Sequence, residues 1–464
     1  MSRPRFDVET FALGPADFDG PAALERCGHA RGCLLEKSTP DAETVVLGSS
    51  PFETLRIKSG RLVAETSRGA RTFPGNPFWA LGKRLSEFRV EGARPFQTGA
   101  LGYLDYEIVR HLERLPPRAW PEEALMMLFD GLVVADRRKG RAEYVALLPK
   151  AGRVAARRKA EKAALYWGKI LRAAPRRREE ALPAPKELGA MTPTLGKLKF
   201  LAAVRKLKEH IRAGDIFQAV LSETFTVKTR ASPALLCRTL GRLGAPPYLF
   251  WIKDGGRHLI GASPERLVKV EGGAALNCPI AGTRPRGADR ESDLALERAL
   301  SRSPKERAEH LMLVDLARND LGRVCAPGTV KVKEFFRVRR FPNVMHLVSE
   351  VEGRLEKGRT AWETLAASFP AGTVSGAPKV RAMELLSGLE TRPRGFYAGA
   401  VLQSDFSGNL DSCITIRAMG LQSGTARLQA GAGIVADSNP EREHQEIMNK
   451  LLSLRRALAL AEAA

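Results

Sequence analysis

The sequence predicts an α+β protein built on large antiparallel sheets. β-prone runs outnumber helical patterns along the 464 residues, and the helices do not alternate regularly with them, as a doubly wound fold would require. Hydrophobic residues make up 44% of the chain, enough for a large packed core.

In chain order, residues 1–145 mix strand-like runs (Thr44–Leu47, Leu55–Ile57, Gly131–Ala135) with Gly/Pro turns. Within them Gly99-Ala-Leu-Gly-Tyr-Leu-Asp-Tyr-Glu107 reads as a Gly-rich strand lying against another backbone. Residues 146–194 form a basic linker or helix, closed by the Pro-rich passage Leu182-Pro-Ala-Pro-Lys186. Residues 195–464 open with an amphipathic helix on which Leu198, Leu201, Val204, Leu207 and Ile211 recur at spacings of three and four, ending at Gly214. Strands are expected at Ile216–Phe225, Tyr248–Ile252, Arg266–Val270, Val344–Val351, Ala398–Ser404, Ile414–Ala418 and Ala426–Ala430. Helices are expected over 294–320, 361–368, 378–388 and 441–462.

Composition narrows the class. No run of 18 apolar residues exists and the first residues lack a signal-peptide core, so a soluble, cytoplasmic protein is expected. Six scattered cysteines without a C-x-x-C pair argue against disulfides and zinc. The formal charge of +22 suggests a polyanion partner, but residues 137–178 alone hold 15 Lys/Arg against Glu143 and Glu161. That run has too few aromatics for a base-stacking platform, so a solvated helix face explains it better than nucleic-acid binding.

Ala371-Gly-Thr-Val-Ser-Gly-Ala-Pro-Lys379 is the most informative segment. Its glycines let backbone N–H groups approach an anion, and the following helix adds positive potential. It is no P-loop, because the spacing is wrong and Pro378 removes an N–H. Gly431-Ala-Gly-Ile-Val-Ala436 fits a dinucleotide fingerprint but lacks the helix that would hold a pyrophosphate.

Glu306 and Glu309 are helix neighbours three apart, and Glu443, Glu446 and Lys450 share one face of another helix. Two such helices can hold a hard divalent cation, or can simply carry solvated glutamates. His346 in a strand-like run is a core residue or a proton-transfer group. Glu265, after Ser263-Pro264, can stay protonated and act as a general acid if it is desolvated.

Together these segments resemble the chorismate-utilising enzymes. The resemblance runs from about residue 196 to 460. It rests on Gly214-Asp-Ile-Phe-Gln-Ala-Val-Leu-Ser222, Gly261-Ala-Ser-Pro-Glu-Arg266, Pro279-Ile-Ala-Gly-Thr-Arg-Pro-Arg286, Glu309-His-Leu-Met-Leu-Val-Asp-Leu-Ala-Arg-Asn-Asp320, Val344-Met-His-Leu-Val348, the 371–379 loop, Leu410-Asp-Ser-Cys-Ile-Thr-Ile-Arg417 and Gly431-Ala-Gly-Ile-Val435. It implies a two-layer antiparallel β-sandwich flanked by helices, with 1–145 as a scaffold or regulatory region. Residue by residue, it implies Glu309 and Glu446 as Mg²⁺ ligands, with Glu306 and Glu443 acting through water. Glu265 becomes the acid that helps the C4 hydroxyl leave. Tyr397, Arg417 and Lys450 grip substrate carboxylates, while Thr283, Gly376, Gly431 and Gly433 supply hydroxyl and backbone contacts. His346 serves the pyruvate-eliminating step.

Members of the family that add water carry lysine where this chain has Gln218, which leaves ammonia as the nucleophile. Ala281 stands where many aminodeoxychorismate-forming members carry lysine. Thr373-Val-Ser375 and Asn449-Lys450 lean the same way, towards the branch that gives anthranilate; the aminodeoxychorismate branch is the alternative. Ammonia is then expected from a separate glutamine amidotransferase subunit. Glu36 and Ser38, with Pro247 and Tyr248, resemble the family's tryptophan-inhibitor elements, but Lys37 replaces a serine and the asparagine of the second element is missing.

Overall fold

The computed structural model describes residues 5–118, 120–176, 184–341 and 344–463. Arg177 and Arg178 of the basic run, Leu182 and Pro183 of the Pro-rich passage, and Pro342 and Asn343 before His346 lie outside the described residues. Among the described residues the strands make two sheets, one of 13 and one of 12 strands. The pairings are antiparallel except where Arg5–Pro15 meets Arg89–Glu91. Both sheets draw strands from before residue 145 and after residue 195, so that boundary divides the sequence and not the sheets.

The first sheet runs from Gln218–Lys228 and Thr425–Ile434 near one edge, through Arg257–Ser263, Tyr248–Asp254 and Arg31–Thr39, to Arg141–Pro149 and Arg5–Pro15. The second contains Val344–Arg354, Arg266–Glu271, Leu410–Ile414, Ala400–Ser404, Gly99–Leu104 and Ala124–Phe129. Ala124–Phe129 explains how the layers stack. All six residues are buried: Leu125, Met127 and Phe129 enter the core between the sheets, while Ala124, Met126 and Leu128 face the helices outside. A strand covered on both faces reads as a continuous apolar run, because alternate side chains serve different cores. Gly102 fits the expected close approach, since a Cβ there would lie 1.9 Å from the Leu125 carbonyl oxygen. The result is the expected sandwich, with helices on its outer faces.

The middle of the basic run is the helix Arg153–Ala173. Ala160, Ala164, Trp167 and Leu171 pack it on the first sheet. Arg153 and Arg157 reach Asp7 and Glu9 at 2.7 and 2.9 Å on the adjoining strand. Part of the charge therefore pairs with the sheet edge.

Three local expectations change. The helix Lys197–Arg212 buries Phe200, Leu201, Val204 and Leu207, whereas Leu198 is 82% exposed. At 100° per residue Leu198 sits about 160° from Phe200, so its spacing to Leu201 misplaces the stripe. The helix expected over 294–320 is two, Arg290–Arg302 and Pro304–Gly322. Pro304 has no N–H to continue the first, and Ser303 caps the second. The strand expected at Ile414–Ala418 is instead the break between Leu410–Ile414 and Ala418–Gln422, where the chain leaves one sheet for the other.

Phe200→Ala is expected to lower unfolding free energy by about 3–5 kcal/mol, while Leu198→Ser stays within about 0.5 kcal/mol of the parent. Denaturant titration of both variants checks this, and the reverse order would contradict the packing of this helix.

Candidate active site

Two sheet-to-sheet crossings lie side by side and build the site. Ser263-Pro-Glu265 joins Arg257–Ser263 of the first sheet to Arg266–Glu271 of the second. Thr415-Ile-Arg417 makes the return step from Leu410–Ile414 to Ala418–Gln422. The crossings bond to each other: Ala262 N–H donates to Arg417 O at 3.0 Å, and Ile414 N–H to Glu265 O at 3.1 Å. Arg417 turns there through a left-handed backbone angle, φ 52°. A straight strand would carry Glu265 and Arg417 into the sandwich core, whereas the crossings leave both at its end.

The Glu265 carboxyl is buried and accepts a hydrogen bond from Thr373 Oγ1 at 2.9 Å. Burial pushes its pKa up to about 7, although the Thr373 bond and the Lys450 charge pull the other way. A carboxyl with that pKa is protonated often enough at neutral pH to donate a proton. Thr373 is delivered by a single 3₁₀ turn, Gly372–Val374.

The two strands at this edge set the floor. Gly376 sits across from Ala219, and Gly433 from Val220. Gly376 has φ 151°, and a Cβ there would lie 2.3 Å from Gln218 O. A Cβ on Gly433 would meet the Gln218 amide at 2.7 Å, and one on Gly431 would meet the Tyr397 hydroxyl at 2.7 Å. The glycines thus make room for Gln218 and Tyr397. Gln218 Oε1 is buried without a partner, so it is available to a ligand that donates hydrogen bonds.

The long helix Pro440–Ala461 supplies one cation, Lys450, beside Arg417 of the crossing. Lys450 Nζ donates to Gly431 O at 2.8 Å and lies 2.7 Å from Glu446 Oε1. Arg417 Nη1 donates to Lys450 O at 2.8 Å, and burial lowers the Arg417 pKa. Two cations and a buried tyrosine, whose pKa burial pushes up to about 12, face one cleft. That combination suits an anionic ligand.

On the other wall His346 lies opposite Thr283. His346 Nδ1 is 2.9 Å from Gly282 O, which can only accept, so Nδ1 carries the proton and Nε2 keeps its lone pair. Thr283 Oγ1 is 3.2 Å from the same nitrogen. Burial lowers the His346 pKa and Arg417 adds to the effect, so the ring is neutral at pH 7.

The four glutamates come from two helices. Burial raises the Glu309 pKa, and repulsion from Glu306 and Glu446 raises it further. Burial likewise raises Glu443, with Glu446 adding. Glu306 also takes a 3.2 Å ion pair from Arg284. Among the described residues no three metal-binding side chains converge into a ready-made cage. Facing carboxylates that raise one another still fit a hard cation that takes its remaining ligands from water and substrate oxygens.

Residues 34–456 match the family described as chorismate binding enzyme. The chain belongs to that family. It is 39% identical to "Anthranilate synthase component 1" of Acetivibrio thermocellus, covering 96% of this chain and 93% of the relative. It is 43% identical to the protein of that name from Streptomyces coelicolor, over 92% and 85%. Among solved structures, anthranilate synthase component I from Streptococcus pneumoniae superposes with a TM-score of 0.78 at 34% identity, covering 90% of this chain and 93% of that one. The menaquinone-specific isochorismate synthase of Escherichia coli shares the fold, at a TM-score of 0.75 and 19% identity.

The residues resembling the family's inhibitor elements gather in a different place. Strands Arg31–Thr39 and Tyr248–Asp254 pair with Lys37 opposite Tyr248, and Ser38 N–H donates to Pro247 O at 2.8 Å. Lys37 is buried between the sheets, 2.9 Å from Asp411 Oδ2 and 3.2 Å from Gln403 Oε1. Tyr248 OH lies 3.1 Å from Asp411 and accepts from Arg266 Nε at 2.7 Å. Glu36 turns instead to Arg137, at 3.1 Å. The lysine in place of the family's serine is thus locked into a closed ion-pair network. The sequence reading also missed Arg394 and Glu390, buried beneath the site floor. The only hint was an arginine in Pro393-Arg-Gly395, a turn-forming triplet.

Glu265→Gln is expected to lower kcat by about 10²–10⁴-fold. In the wild type, kcat/KM should fall as pH rises through about 7 and the Glu265 proton is lost. Thr373→Val removes a bond that favours the carboxylate, so the limb should move to higher pH. A pH–rate profile that stays in place would contradict the pairing.

Proposed function

We propose that the protein converts chorismate and ammonia into anthranilate and pyruvate. The observation that carries this reading is Gln218. It fills, with a free buried Oε1, the place where water-adding relatives carry a lysine base. Glutamine cannot deprotonate water, but its carbonyl accepts a hydrogen bond from ammonia, which is already nucleophilic. The names of the relatives, at 39% and 43% identity over most of both chains, support the same branch.

Arg417, Lys450, Tyr397 and the glycine backbone hold the two carboxylates of chorismate. Glu309 and Glu446 would bind Mg²⁺ directly, with Glu306 and Glu443 through water, and the ion would neutralise charge on the ring carboxylate. Ammonia, oriented by Gln218, adds at C2 as the ring double bonds shift. The C4 hydroxyl leaves as water with the Glu265 proton, and Thr373 then donates to the carboxylate that remains. The neutral Nε2 of His346 takes the C2 proton, the C3–oxygen bond breaks as the ring aromatises, and the departing enolpyruvate takes up that proton and leaves as pyruvate. Glu265 and His346 thus divide acid and base work by environment. A separate glutamine amidotransferase subunit supplies ammonia in this reading, and high ammonium substitutes for it.

Incubation with chorismate, Mg²⁺ and ammonium tests the reading. Fluorescent anthranilate is expected without any added lyase. A non-fluorescent aminated product that needs a lyase to give p-aminobenzoate would contradict it and favour the aminodeoxychorismate branch. Glu309→Gln and Glu446→Gln should each weaken Mg²⁺-dependent turnover on the order of 10²-fold, rescued in part by excess Mg²⁺. His346→Met should release the aminated intermediate, detectable by chromatography.

A further inference from the structure

We propose that Arg394 is the positioning residue that holds Thr373 on Glu265, an inference that rests on the function proposed above. Arg394 lies between the helix Lys379–Leu389 and the strand Ala400–Ser404, and its side chain is 1% exposed. It donates through Nε to Glu390 Oε2 at 2.8 Å and through Nη2 to Glu390 Oε1 at 2.7 Å, a two-pronged pair. The rest of the fork points two ways. Nη1 donates to Val374 O at 2.6 Å, and Nη2 to Val220 O at 2.6 Å.

Those two carbonyls give the arginine its meaning. Val374 follows Thr373 in the Gly372–Val374 turn, and Val220 lies two residues after Gln218 on the floor strand. One guanidinium therefore clamps the turn that carries the Glu265 partner to the strand that carries Gln218. It also lies over the Tyr106 ring at 4.7 Å and near the Tyr397 ring at 5.8 Å. Glu390 is held in turn: Ser222 donates to Oε1 through N–H at 3.0 Å and Oγ at 2.7 Å, and Gln429 Nε2 donates to Ser222 Oγ at 2.9 Å. The chain of bonds runs from Gln429 to Val374 beneath the cleft, with its charges matched inside it.

A planar fork can serve a carboxylate and two diverging carbonyls at once, which a lysine ammonium cannot. Arg394→Lys keeps the charge opposite Glu390 but releases at least one carbonyl. The turn can then drift, and the Thr373 hydroxyl leaves the Glu265 carboxyl. Arg394 acts through Thr373 and makes no contact with the reacting atoms.

A double-mutant cycle of Arg394→Lys with Thr373→Val tests this in the ammonium-dependent assay, with kcat, KM for chorismate and the pH profile as readouts. Arg394→Lys is expected to lower kcat on the order of 10²-fold, as a displacement of about an ångström would. It should move the alkaline limb of kcat/KM to higher pH, as Thr373→Val does. In the Thr373→Val background it should cost less than about threefold more, because the interaction it protects is already gone. Independent, multiplying losses with an unmoved limb would mark Arg394 as a support of the fold alone and overturn the inference. Should Arg394→Lys not fold, Ser222→Ala loosens Glu390 from the strand while leaving the fork intact; a smaller loss, again non-additive with Thr373→Val, is expected, and additivity overturns the inference. A wild type that makes no anthranilate would overturn the functional reading and this inference with it. A wild type that makes anthranilate without the coupling would overturn this inference alone.

Discussion

The structure depends on one constraint: of the chain's several steps between its two sheets, the two at Ser263–Glu265 and Thr415–Arg417 fall at the same place. Each step breaks a strand, and each break strands polar backbone near the sandwich core. The crossings satisfy one another, with Ala262 N–H on Arg417 O and Ile414 N–H on Glu265 O. Ser263 Oγ adds a bond to Ile414 O at 2.7 Å. Because the crossings are adjacent, an acid and a cation arrive at one end of the sandwich. The neighbouring floor strands, the Thr373 turn and the helix bearing Lys450 close round them.

The charge pattern follows from that layout. Glu265 is buried with one hydroxyl partner and a cation near by, too little to hold it fully ionised. Arg394 is buried as deeply but meets a carboxylate and two carbonyls, so it stays charged. The Lys37–Asp411 pair joins the two sheets in the same manner. These two structural charges are matched, whereas Glu265 in the cleft is left partly unmatched. A large cavity is no guide to the cleft: one of about 490 Å³, lined by Trp120, Phe396 and Arg427, has neither Glu265, Tyr397, Arg417 nor Lys450 in its lining.

Much of the fold was legible because local signals agreed with it. Thr360 and Glu363 form a reciprocal cap, and the helix Ala361–Ser368 follows as read. The run Ile414–Ala418 misled because β-propensity cannot sense a change of sheet, which is decided by pairing with distant strands. Site residues could be nominated singly, but not their partnerships. Glu265 and Thr373 are 108 residues apart, and Arg394 reaches Val220 across 174. Arg394 escaped notice because the two targets that tie it to the site, Val374 O and Val220 O, are backbone carbonyls, which carry no residue signature. Lys37 was visible as a departure, yet only the fold reveals Asp411 as its partner.

The claim on which the rest turns is that burial at the crossing keeps the Glu265 carboxyl protonated near neutral pH. Its titration can be followed directly by carbon NMR of glutamate-labelled protein, with the Glu265→Gln variant assigning the signal. The account predicts a midpoint near 7. A midpoint at the ordinary glutamate value of 4.5 would contradict it.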